Sequence, residues 1–231
     1  MSGDQYGRIV NSGNGNLSVG NAGTQSVGTR SQAFGSPAAQ PAPEQTAEGA
    51  YADETRNVFV VHGRDEQARR VMFDLLRKLD LRPLEWEPLV HGAGGGSPFL
   101  GDVVATAPSL AQAALVLLTP DDVVRLHPDL HGPREHAYEV TQTCQPRPNV
   151  LLELGMVLMA YPERTIIVEF GDLRPIADLA GRNVIRFDGS AVAVGKIVGR
   201  LDRAGCKVDD SGADWRDTRP FRGLGAYRRR P

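Results

Sequence analysis

Four short apolar runs, residues 57–61, 113–119, 165–169 and 183–187, and a weaker one at 82–87, alternate with stretches of helical spacing. This alternation constrains the fold more than any other feature of the chain. Asn57-Val58-Phe59-Val60-Val61 and Ala113-Ala114-Leu115-Val116-Leu117-Leu118-Thr119 show no polar alternation, so they read as strands buried on both faces. Strands covered on both faces need helices on both sides, and the segments between them supply these. After the first strand, Asp65 is placed to cap a helix. In that helix Ala68, Val71, Met72, Leu75, Leu76 and Leu79 share one side, with Arg70, Asp74, Arg77 and Lys78 opposite. Further helices are expected over about 100–112, 149–160 and 192–204. The expected fold is α/β, a flavodoxin-like five-stranded parallel sheet flanked by helices.

The rest of the chain divides by composition. Residues 1–35 are low-complexity, and residues 11–29 carry no charge at all. Within them Ser18-Val19-Gly20 recurs as Ser26-Val27-Gly28. Two readings stand side by side: a solvated Gly/Ser tail, and a self-assembly motif whose units stack as in-register strands, like short amyloid-type signalling motifs. Residues 36–55 read as a linker, 56–208 as the folded domain and 209–231 as an exposed, Arg-rich tail without apolar periodicity. A formal net charge of −2 and a pI near 6.2 provide no overall field toward nucleic acid or an acidic membrane. Cys144 and Cys206 are the only cysteines, and no CxxC or Cys/His cluster suggests a metal. The chain shows neither a signal segment nor a membrane-length apolar stretch, so a cytoplasmic location is expected.

In a parallel sheet of this kind ligands sit at the carboxyl ends of the strands, where strand order reverses. His62-Gly63-Arg64 follows the first strand and His91-Gly92-Ala93-Gly94-Gly95-Gly96-Ser97-Pro98 the second, while Thr119-Pro120-Asp121-Asp122 follows the third. Asn149-Val150-Leu151-Leu152-Glu153-Leu154-Gly155 opens the next helix, with Glu153 on the flank of its apolar stripe. The glycine-rich stretch lacks the last glycine of GxGxxG and the Gly-Lys-Ser/Thr of a P-loop, which excludes both phosphate-binding signatures. Asp121 and Asp122 also read as capping a turn after Pro120, and His62 as a histidine satisfied at a strand end.

Phe59-Val60-Val61-His62-Gly63-Arg64-Asp65, Leu118-Thr119-Pro120-Asp121-Asp122 and Arg147-Pro148-Asn149-Val150-Leu151-Leu152-Glu153-Leu154-Gly155 occur in that order. Together they resemble the TIR-like domain of bacterial antiphage effectors of the CAP12/Pycsar type, over about residues 57–204. The resemblance implies cleavage of NAD at its nicotinamide glycosidic bond, with Glu153 as the catalytic residue. NAD is then substrate rather than cofactor, and no cofactor or metal is expected. The substrate-contacting candidates are His62, Gly63, Arg64, Gly96, Ser97, Asp121 and Asn149. Arg64 and the backbone of the glycine loop suit a pyrophosphate. A homo-oligomer or filament gated by self-association is the expected assembly, with an unidentified sensor as partner and no membrane or nucleic acid. The alternatives are a noncatalytic TIR-like adaptor and a nucleotide-binding signalling module.

Overall fold

The computed structural model describes residues 53–85 and 110–231. The repeat-bearing segment 1–35 and the glycine loop with Gly96 and Ser97 lie outside them, as does most of the expected helix 100–112. Only Leu110, Ala111 and Gln112 of that helix are described, and they form a turn leading into the next strand.

Strand β1 (Asn57–Val61) is buried along its whole length, as its uninterrupted apolar sequence requires. Helix α1 (Glu66–Lys78) follows, capped by Asp65, whose carboxylate accepts the Ala68 N–H at 2.9 Å. Next come β2 (Arg82–Leu84) and β3 (Ala113–Leu118). After an excursion containing β4 (Asp122–Val124), the short helix α2 (Ala137–Val140) and β5 (Thr143–Gln145), the chain enters α3 (Pro148–Ala160). It ends its regular structure with β6 (Thr165–Phe170), β7 (Ile185–Phe187) and α4 (Ala191–Arg203).

The main sheet has the order β2-β1-β3-β6-β7 and every neighbouring pair in it is parallel. Counted along that sheet this is the 2-1-3-4-5 order of a flavodoxin-like fold, as the alternating pattern predicts. Alternate residues of each strand feed opposite cores. Val58, Val60, Leu115, Leu117, Ile166 and Val168 pack with α1 and α4, whereas Phe59, Val61, Ala114, Val116, Leu118 and Ile167 pack with Val150, Leu154 and Val157 of α3 and with its C-cap Tyr161. No helix among the described residues is long and apolar enough to cross a membrane.

Three expectations need correction. Residues 120–148, where the sequence pattern predicts neither strand nor helix, contain β4 and β5, paired antiparallel with Asp122 opposite Gln145. Strands of three residues are too short to leave a periodic signal. The last strand begins at Ile185 and not at Asn183, since the Val184 N–H is turned back to the Arg182 carbonyl.

The third correction is the largest. Residues 209–231 are not an exposed tail: Phe221, Leu224 and Ala226 are buried in the core shared by α1 and α4, with Trp215 and Tyr227 packed against it. Phe221 meets Phe187 edge-on at 5.3 Å between ring centroids, and Tyr227 stacks over Phe170 at 6.5 Å. Two glycines in the left-handed region form the seat. A Cβ on Gly171 (φ +68°) would overlap the Ala226 carbonyl, and one on Gly189 (φ +77°) would crowd the Phe221 backbone at 2.9 Å. The folded domain therefore runs past residue 208 through the last described turns.

Candidate active site

The strand order reverses between β1 and β3, because the chain runs outward from β1 to β2 and then returns to the other side of β1. At the carboxyl ends of these two strands, Arg64, Asp121, Arg147 and Arg229 line a cavity of about 230 Å³. Sequence positions more than eighty residues apart meet here only because the fold brings three connections to one rim.

Asp121 organises the rim from within the protein. Its side chain is 4% exposed; one carboxylate oxygen accepts the Arg64 N–H at 2.9 Å, and the other lies 3.8 Å from the Arg229 guanidinium. The same guanidinium pairs with the buried Asp65 at 3.0 Å and donates to the Pro120 carbonyl at 3.2 Å. Gly63 permits this closeness, for a Cβ there would overlap the Asp121 carboxylate. Thus Gly63 and Asp121 are brought together as expected, but Asp121 spends its oxygens on the loop after β1 and on the C-terminal segment. The reading of Asp121 as a turn cap is replaced by a bridge between two loops. The neighbouring Thr119 is 2% exposed, and its hydroxyl has no hydrogen-bond partner among the described residues.

His62 turns away from this cavity. Its ring sits edge-on to Phe73 at 6.0 Å and 3.7 Å from the Glu85 carboxylate, which also pairs with Arg69. Asn149 is exposed in the first turn of α3, and Glu153 lies one turn further on the same side of the helix. Arg147 is the N-cap of α3, with Pro148 at the first helical position and no side-chain cap bond, and its carbonyl accepts the Leu151 N–H at 3.2 Å. Glu153 does not line the arginine cavity; it stands about 9 Å along the helix axis from the N-cap at 1.5 Å per residue.

Glu153 is half-buried, and among the described residues no cation or hydrogen-bond donor meets its carboxylate. Burial raises its pKa from the ordinary 4.5 to about 6, since an ion in a poorly solvated place is disfavoured. The folded protein therefore binds this proton more tightly than the unfolded chain does. The resulting loss of stability develops between pH 4.5 and about 6 and is complete above that. Glu153→Gln is expected to stabilise the domain at pH 7.5 by about 1 kcal/mol, or roughly 3 °C in Tm, after allowance for the group's partial exposure. Below pH 4.5 thermal melts of the two proteins should coincide. An equal or lower melting point for the variant at pH 7.5 would show that the carboxylate is satisfied in the fold.

Sequence reasoning passed over Arg147 and Arg229 as site residues. Arg147 stands inside the third motif, directly before the helix-starting proline, and that placement was a usable signal. Arg229 was hidden in a run read as solvated.

A doubly covered parallel sheet in 2-1-3-4-5 order, with basic residues at its switch point and a half-buried carboxylate on α3, is the arrangement expected of a TIR-like α/β domain. Residues 57–189 match the family model for the TIR domain of CAP12/Pycsar effector proteins, and the chain belongs to that family. No curated protein matches the chain. The matched region ends at Gly189, so α4 and the segment carrying Phe221 and Arg229 lie beyond it.

Proposed function

We propose that the chain is an antiphage effector whose TIR domain cleaves the nicotinamide–ribose bond of NAD, with Glu153 as the catalytic residue. The observation that carries the reading is the state of Glu153: half-buried, on the helix that starts at the ligand rim, and without a neutralising partner among the described residues. A carboxylate kept at such a cost to the fold is suited to stabilise positive charge that appears only during reaction. As the glycosidic bond breaks, the bonding electrons leave with nicotinamide, which departs neutral, and the ribose C1′ becomes oxocarbenium-like. No general acid is needed. The ionised Glu153 stabilises that cation and holds the ribose hydroxyls until water adds at C1′ and releases a proton to solvent, or until an adenine nitrogen of the same molecule adds instead.

The assay is nicotinamide release from NAD by the full chain, dilute and then clustered on beads to enforce self-association. Release on clustering is the expected result; clustered protein that leaves NAD intact would overturn the reading. The noncatalytic adaptor reading draws on a different observation. Leu152 and Met159, seven residues apart on the outer side of α3, are 57% and 85% exposed, and a helix this apolar is unusual at a free surface. An adaptor would show partner binding with no NAD turnover in any assembly state.

A further inference from the structure

The cavity at the switch point has a composition that its position alone does not require. Among the described residues its lining is Arg64, Arg147, Arg229 and Asp121, and Asp121 already serves Arg64 and Arg229. The Arg64 side chain is exposed and has no acidic partner among the described residues. Arg147 is 38% exposed and stands 3.8 Å from Asp122, beyond hydrogen-bond range, so its guanidinium keeps its donors. Arg229 is fixed in place by Asp65 and Pro120, yet it still opens on the cavity. A planar guanidinium offers five donors in a fork that matches phosphate oxygens, and two or three forks around one cavity suit an anion with oxygens on several sides.

At about 230 Å³, open to solvent, the cavity has room for a diphosphate. Charge sets the strength. Counting Asp65 and Asp122 behind the arginines, the cluster balances three cations against three carboxylates. Recognition must come from the donor geometry more than from a strong field, and binding should be moderate.

We propose that this cavity is a diphosphate subsite, and that the C-terminal segment completes it by contributing Arg229 from outside the matched family region. As a subsite for a dinucleotide it rests on the reading of NAD as substrate; as a diphosphate site it stands by itself. Arg64 and Arg147 make the adaptable contacts. Arg229, held by two buried carboxylates, sets the floor of the cavity.

The test is calorimetric titration of the full chain with inorganic pyrophosphate, and in parallel with ADP-ribose, at low salt. Arg64→Gln and Arg147→Gln are each expected to weaken both ligands by about tenfold, the loss typical of a charge-assisted hydrogen bond. Arg230→Gln, one residue from Arg229 and outside the cavity lining, should leave both within about twofold. Arg229→Gln also strips a partner from Asp65 and Asp121. Its binding is therefore read together with its melting temperature, and the other two arginine variants carry the decision. Absence of pyrophosphate binding, or binding unchanged in both Arg64→Gln and Arg147→Gln, overturns the proposal. The two readings separate cleanly: pyrophosphate binding without NAD cleavage leaves the subsite standing and removes the enzyme, whereas NAD cleavage without pyrophosphate binding does the reverse.

Discussion

Replacing Glu153 with glutamine is expected to lower nicotinamide release from NAD by about 10²–10³-fold, the loss found when one preorganised electrostatic contact to a transition state is removed. The substitution keeps the size and most of the hydrogen-bonding capacity of the side chain but cannot carry charge. Because the same change relieves a half-buried carboxylate, activity should fall while thermal stability at pH 7.5 rises. A variant that is both inactive and unstable would point to general damage. The pH profile gives an independent check. With the ionised carboxylate as the working form, kcat/KM for NAD should climb through about pH 6 and level off above it. Nicotinamide release that is unaffected by Glu153→Gln would remove Glu153 from the chemistry.

The second large effect concerns the C-terminal segment. Ending the chain at Asp209 would remove Phe221, Leu224 and Ala226, all at most 5% exposed, from the core that covers β6 and β7. Burial of a Phe and a Leu side chain is worth about 1.5–3 kcal/mol each, and a domain of this size is stable by only about 5–15 kcal/mol in all. The truncated chain is expected to lose its cooperative thermal transition or fail to accumulate in soluble form. A finer version is Phe221→Ala, which should cost about 3–5 kcal/mol and lower Tm by roughly 10 °C. If the truncated chain melts like the full one, the segment does not belong to the folded domain.

These two predictions also mark how far the sequence could be read. The buried strands β1 and β3 were legible because a doubly covered strand is apolar throughout, and α1 because thirteen residues carry three full turns of amphipathic signal. Glu153 was singled out by its motif, and its position on the flank of α3 by helical spacing. The structure keeps it there, between the buried side carrying Val150, Leu154 and Val157 and the exposed Leu152. The C-terminal segment escaped because Phe221 and Ala226 sit in 3₁₀ turns, and Leu224 just before the second of them, among Gly, Pro and Arg. Three separate anchors in irregular backbone have no period to detect. What did mark them were Gly171 and Gly189, which gain their meaning only when something is seen to lie against them. The arginine cavity was hidden for a different reason: Arg64, Arg147 and Arg229 are about eighty residues apart, and only the strand order brings them together.

The seating of the final turns has a consequence for synthesis. The seven strands among the described residues are translated before residues 219–229, so a nascent chain pairs its sheet while Phe170 and Phe187 still await their cover. Arrival of residues 219–229, rather than completion of the sheet, is what covers Phe170 and Phe187 and fixes Arg229 against Asp65. A product stalled or nicked ahead of those residues is an unfinished domain with apolar surface on show, a substrate for chaperones and proteases instead of a free-running effector.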